Sequence, residues 1–255
     1  MKLLRRLFLL LLLLAVIGVV VAWTLPAELA LRWLKPDLGP LQLSGISGTV
    51  WRGQASSATA FGTPLGAMRW SVEKSPLLLR RVAARVTLSG GAIALDGDVT
   101  RDADGSVLVQ NMTFQLPAET AAPALDIPAL KLHGTIEGRI DDARLANGWV
   151  GGARGSARWR EAAVSGEAEA RLGELLAEFS SQPDGSIAGT VKDDGSSNLE
   201  VAGQFVVNSG QFSATARLAA RNGDAQVAEA LRFIGEPQPD GSSLLKINGQ
   251  LFKLF

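Results

Sequence analysis

The side chains able to do chemistry in this chain are few and scattered. His133 is its only histidine. As a general base it would need a nucleophile within reach and a third group to orient it. It sits instead in Lys131-Leu132-His133-Gly134-Thr135, an alternating run with no nucleophile elbow nearby, and reads as a surface or edge-strand histidine. Asp102, Asp104, Asp193 and Asp194 carry oxygens of the kind that calcium takes. No segment shows the twelve-residue loop closed by a glutamate, and Asp-Gly pairs are ordinary hairpin chemistry, so these acids read as turns. Asp141-Asp142, and Glu167 with Glu169, are spaced for acid–base work. Glu167 and Glu169, however, share a strand face beside Arg171, which is the pattern of a solvated surface. Gly151-Gly152-Ala153-Arg154-Gly155 precedes a strand-like run rather than opening a helix, so it makes no phosphate cradle. The chain has no cysteine, hence no thiolate nucleophile, no Cys-based metal site and no disulfide. No catalytic, cofactor-binding or metal-binding residue is assigned. Trp51, Trp70, Trp149 and Trp159 could line an apolar groove or anchor a partner, but read first as core.

The elements that hold these residues are mostly strands. Val82, Ala84, Val86 and Leu88 alternate with Arg81, Arg85 and Thr87. Ile93, Leu95, Gly97 and Val99 alternate with Asp96, Asp98 and Thr100, and 106–114 continues as a third strand. Short glycine turns join them into an antiparallel meander. The same grammar returns near 174–181, 186–192, 197–207 and 211–221. Gly134, Gly138, Gly189 and Gly203 stand where side chains are expected, which permits bulges or close backbone approach and a curved sheet. Pro117, Pro123 and Pro128 make 117–129 a linker between two β halves. One helix is expected at Ala225–Ile234, capped by Asp224 and ended by Gly235, and a last strand carries Leu245, Ile247 and Leu251 on one face.

The N-terminus sets the compartment. Leu7–Leu25 is uncharged, with Lys2, Arg5 and Arg6 ahead of it. Such a run spans about 28 Å as a helix, close to a bilayer core, and its basic flank belongs in the cytoplasm. A cleaved signal would have a shorter apolar region ending in an A-x-A-like site, and Ala22-Trp23-Thr24 matches that poorly. The expected order is therefore a cytoplasmic tail at 1–6, a single-pass anchor at 7–25, an interfacial helix at 26–36 and an exported domain at 37–255. In that helix Leu29, Ala30, Trp33 and Leu34 form one face, expected to lie on the membrane. Setting Lys2, Arg5 and Arg6 aside leaves 22 of the 25 basic residues against 25 acidic ones, which gives no reason to expect nucleic-acid binding. The predicted fold is mainly β: an N-terminal transmembrane helix, then a glycine-rich, curved antiparallel sheet, meander or half-barrel-like, with one or two short helices.

The most specific string is Gly48-Thr49-Val50-Trp51-Arg52-Gly53-Gln54-Ala55, some twenty residues beyond the anchor and a Leu-Pro-Ala segment. With Leu231-Arg232-Phe233-Ile234-Gly235, Pro239-Asp240-Gly241 and Leu245–Leu251, it resembles the type II secretion system protein N family. The resemblance implies a non-enzymatic accessory protein of the inner membrane, with its C-terminal domain in the periplasm. Such a protein would help export folded proteins across the outer membrane, through scaffolding contacts with other secretion components. Two further readings stand beside it. One is a lipid-binding or lipid-transfer module with an apolar groove on a curved sheet; the other, an envelope hydrolase, has little residue-level support.

Overall fold

The computed structural model describes residues 23–34, 39–60, 62–121, 131–165 and 169–250. Most of the predicted anchor lies outside these residues, and among them no helix is long and apolar enough to cross a membrane.

Among the described residues, fourteen strands form one antiparallel sheet. They are β1 (Leu41–Gly48), β2 (Arg52–Ala60), β3 (Thr63–Glu73), β4 (Val82–Gly90), β5 (Ala94–Arg101), β6 (Val107–Pro117) and β7 (Lys131–Ala146). The others are β8 (Trp149–Ser165), β9 (Glu169–Ser181), β10 (Ile187–Asp193), β11 (Leu199–Asn208), β12 (Gln211–Ala220), β13 (Glu236–Pro237) and β14 (Ser243–Gln250). Each pairs with its sequence neighbour, save that β14 lies between β12 and β13. Among the described residues the sheet is not closed, and β1 and β13 are its edges. β6 and β7 pair across the proline-rich segment at 117–129, so both flanks belong to the same sheet.

The register realises the alternation read from sequence. Val86 pairs with Gly97, Ala84 with Val99 and Leu88 with Leu95, while Arg85 faces Asp98 and Thr87 faces Asp96 on the opposite surface. One face is thus apolar and one charged, as expected of an antiparallel sheet with a single wet side. The apolar face runs on without a break through Val109, Ile140, Phe179, Phe205 and Ala214 to Ile247. Bulges reset the phase in the long strands. One lies between His133 and Thr135, where Gly134 has φ 95° and a Cβ would stand 2.3 Å from the Arg160 carbonyl oxygen. Trp149 on β8 packs against Gly210 in the β11–β12 turn, three strands away, so the sheet curls sharply here.

Buried apolar residues gather beneath a helix. Leu175, Leu199, Val201 and Leu218 are buried together with Leu231. Helix α2 (Ala225–Ala230) is capped by Asp224, whose carboxylate accepts from the Val227 amide at 3.0 Å. The expected α-helix through Ile234 stops at Ala230 and tightens into a 3-10 turn over Leu231–Phe233. Val227, Leu231 and Ile234 all pack on the cluster, as their spacing requires.

Helix α1 (Ala27–Leu34) splits its apolar surface differently from the expectation. Ala27 and Ala30 are buried, and their small side chains let the helix close on the sheet, chiefly at β1. Leu29 and Trp33 project away, Trp33 being 81% exposed.

Candidate functional site

Among the described residues the chemically capable side chains form no triad, although His133 meets a hydroxyl. His133 is exposed on β7, and its Nε2 lies 2.7 Å from Ser165 Oγ across the β7–β8 pair. Asp141 and Asp142 each face an arginine, Arg139 at 2.9 Å and Arg154 at 2.6 Å. Glu167 lies outside the described residues, and the Glu169 backbone begins β9. Gly151–Gly155 runs within β8 itself rather than ahead of a strand.

The acidic turns prove to be structural cassettes. Asp104, Asp184, Asp194 and Asp240 each precede a Gly-Ser pair, and each carboxylate accepts from both the serine amide and its hydroxyl. These bonds hold all four carboxyl groups below the usual aspartate range, the serine hydroxyl being the largest cause. Asp193 is committed elsewhere. Its oxygens accept from the amides of Gly195 and Val201 and pair with Arg221, and its side chain is only 6% exposed. On the charged face, Thr87 and Arg85 both bond Asp96 and depress its carboxyl, Thr87 more.

The apolar face has the most organised geometry. Four aromatic rings reach over glycines that are their own register partners: Trp70 over Gly53, Phe114 over Gly138, Phe179 over Gly155 and Phe205 over Gly189. A Cβ at these glycines would stand 2.3 to 3.0 Å from the ring. Gly189 also faces Phe179 on its other side. A Gly-Phe-Gly-Phe row therefore crosses β8, β9, β10 and β11. Beside it runs a lane of small side chains in continuous register: Gly138, Ala157, Ala177, Val191, Gly203 and Ala216. At about 4.8 Å per strand the lane is roughly 24 Å long, apolar and shallow. All six of its residues are half-buried. The tryptophans serve this face or its margins. Trp70 donates to the Val50 carbonyl at 3.1 Å, and Trp159 packs on the buried cluster and donates to the His133 carbonyl at 2.8 Å.

The N-terminal segment is fastened at one end of the strands. Pro26 bridges Thr49, and the Val50 amide donates to the Leu25 carbonyl at 3.1 Å. Lys74 Nζ stands 3.8 Å from the centroid of the Trp23 ring and 5.2 Å from that of Trp51. Trp51 thus marks a clamp at the β1–β2 turn. Sequence reasoning missed this use because its partner, Lys74, comes from a different turn.

The family model described as Type II secretion system (T2SS), protein N, matches residues 39–245. Over 232 residues the chain is 29% identical to the Type II secretion system protein N of Vibrio cholerae serotype O1, which covers 89% of this chain and 90% of the relative. It is 26% identical over 236 residues to the protein of the same name from Aeromonas hydrophila, covering 89% and 91%. No solved structure matches.

Proposed function

The chain belongs to the type II secretion system protein N family, and from that premise we propose that it is a non-enzymatic scaffold of the secretion apparatus, tethered to the inner membrane with its sheet in the periplasm. The family match, which spans nearly the whole sheet, carries this reading. The clamp between the N-terminal segment and the β1–β2 turn supports it, because a rigid joint would hold the sheet at a set angle to a tether. The exported surface would then meet other secretion components. Secretion of a native substrate by cells that lack this protein, with and without the full chain restored, tests the reading. Restored export supports it; export that is normal without the protein counts against it.

The lane on the apolar face favours a second reading, in which an acyl chain lies across the strands between Phe114 and Leu245. Lipid extraction from the purified full chain followed by mass spectrometry tests it, and a preparation free of co-purifying lipid would rule it out.

A further inference from the structure

An open sheet has two edges, and here they differ. The first is obstructed. Helix α1 packs on β1, Pro26 bridges Thr49 just past its end, and Gly45 inside it takes φ 62°, which breaks the flat hydrogen-bonding row that a new strand needs. The second is half open. β13 covers β14 only at Ser243 and Leu244. From Leu245 to Gln250 the strand is regular, pairs with β12 along its whole length, and has no strand on its far side among the described residues. No residue of this stretch has positive φ, and it contains no proline. Its single charge, Lys246, is already paired with Glu236 at 2.9 Å. Apart from Lys246, whose charge is thus occupied, the usual devices that keep an edge from accepting a strand are absent from this stretch among the described residues.

We propose that the far edge of β14, at Leu245–Gln250, is where this protein receives an extended strand from another envelope protein, an inference that rests on the scaffolding reading. The chemistry of the incoming segment follows from the register. Residues set opposite Leu245, Ile247 and Gly249 continue the apolar face and must be apolar; those opposite Lys246, Asn248 and Gln250 meet the wet face and must be polar. Lys246 already has its acid, so the polar positions are neutral.

Symmetry argues against a second copy as that strand. A copy paired antiparallel through the same edge is turned by half a rotation within the sheet plane. Its N-terminal helix then sits at the opposite end of the strands from the first, and the two chains cannot be tethered to one membrane side by side. A copy paired parallel is turned over, so that its charged face continues the apolar face. Neither arrangement suits a tethered chain, whereas an unrelated strand meets no such constraint.

The test uses the full chain in its native membrane, with p-benzoylphenylalanine placed in turn at Asn248 on β14, Gln42 on β1 and Arg158 on the charged face, all exposed. Immunoblotting confirms equal abundance before illumination. The expected result is an adduct between position 248 and a secretion component, with the linked partner residue lying in an alternating apolar–polar stretch, and no adduct from position 42. Adducts from position 158 alone would overturn the edge assignment and leave the scaffold reading standing. An adduct of twice the chain's mass from position 248 would overturn it in favour of a second copy. Silence at all three positions would overturn both.

Discussion

Phe205 lies across Gly189, its partner on the neighbouring strand, with a ring carbon 2.4 Å from where a Cβ on residue 189 would stand. The ring occupies the space that the glycine leaves, and neither position can change alone without disturbing the other. Gly189→Val should force the ring off the sheet and cost about 1–3 kcal/mol, and Phe205→Ala about 2 kcal/mol for a half-buried ring. In the double variant the two costs should fall short of their sum by 0.5 kcal/mol or more, the mark of a shared site. Urea unfolding of the four proteins measures this; simple additivity would mean the ring and the glycine act independently.

The buried carboxylate of Asp193 gives a second prediction. Arg221→Ala leaves that group paired only with backbone amides, so a loss of about 2–3 kcal/mol is expected. Arg154→Ala, which breaks an ion pair in which both side chains are more than 40% exposed, should change stability far less, because solvent screens that pair. Equal effects in thermal melts would contradict the distinction drawn from burial.

The four Asp-Gly-Ser turns make stability depend on acid. Asp104, Asp184, Asp194 and Asp240 have folded pKa values below their unfolded ones, so their contribution is complete above the unfolded value of about 4 and fades as pH falls below it. Replacing Ser106, Ser186, Ser196 and Ser242 together by alanine removes the largest cause in each turn. The quadruple variant should lose less stability than wild type between pH 5 and about pH 2, as read from circular dichroism; an unchanged acid profile would show that these bonds do not set it.

The clamp at the β1–β2 turn can be loosened without touching the core. Lys74→Ala removes a cation held near the rings of Trp23 and Trp51 and should cost about 0.5–1 kcal/mol. The expected sign is a red-shifted tryptophan emission and faster proteolytic removal of the N-terminal segment, with the sheet's melting temperature little changed. An unchanged cleavage rate would mean that the Pro26 bridge and the Val50 amide suffice.

His133→Asn should leave secretion at the wild-type level, because the scaffold reading gives the imidazole no chemical task. A loss of export in a variant of normal abundance would reopen a role for His133 and Ser165.

Some of this architecture was legible in single residues. Val82–Leu88 and Ile93–Val99 alternate because each strand wets one face, and the register pairs them as the pattern implies. β2 was not legible: Arg-Gly-Gln-Ala-Ser-Ser-Ala-Thr-Ala carries no large apolar side chain, and its place on the apolar face is filled by Trp70 from the next strand. Gly138 and Gly189 could be read only as close approach or bulge, since the ring that explains each lies on another strand. The clamp and the open edge were hidden for the same reason: both depend on residues that pairing brings together.

Sequence order in the sheet from β1 to β12 has a consequence for evolution and engineering. Fourteen strands at about 4.8 Å each extend some 60 Å along the curve, and every hairpin adds about 10 Å of reach. With no crossover before β13, excising one hairpin and its charge-matched neighbours shortens the molecule without rethreading the rest. Length thus becomes a heritable dimension that natural insertions or deletions can tune while both extremities of the sheet stay the same.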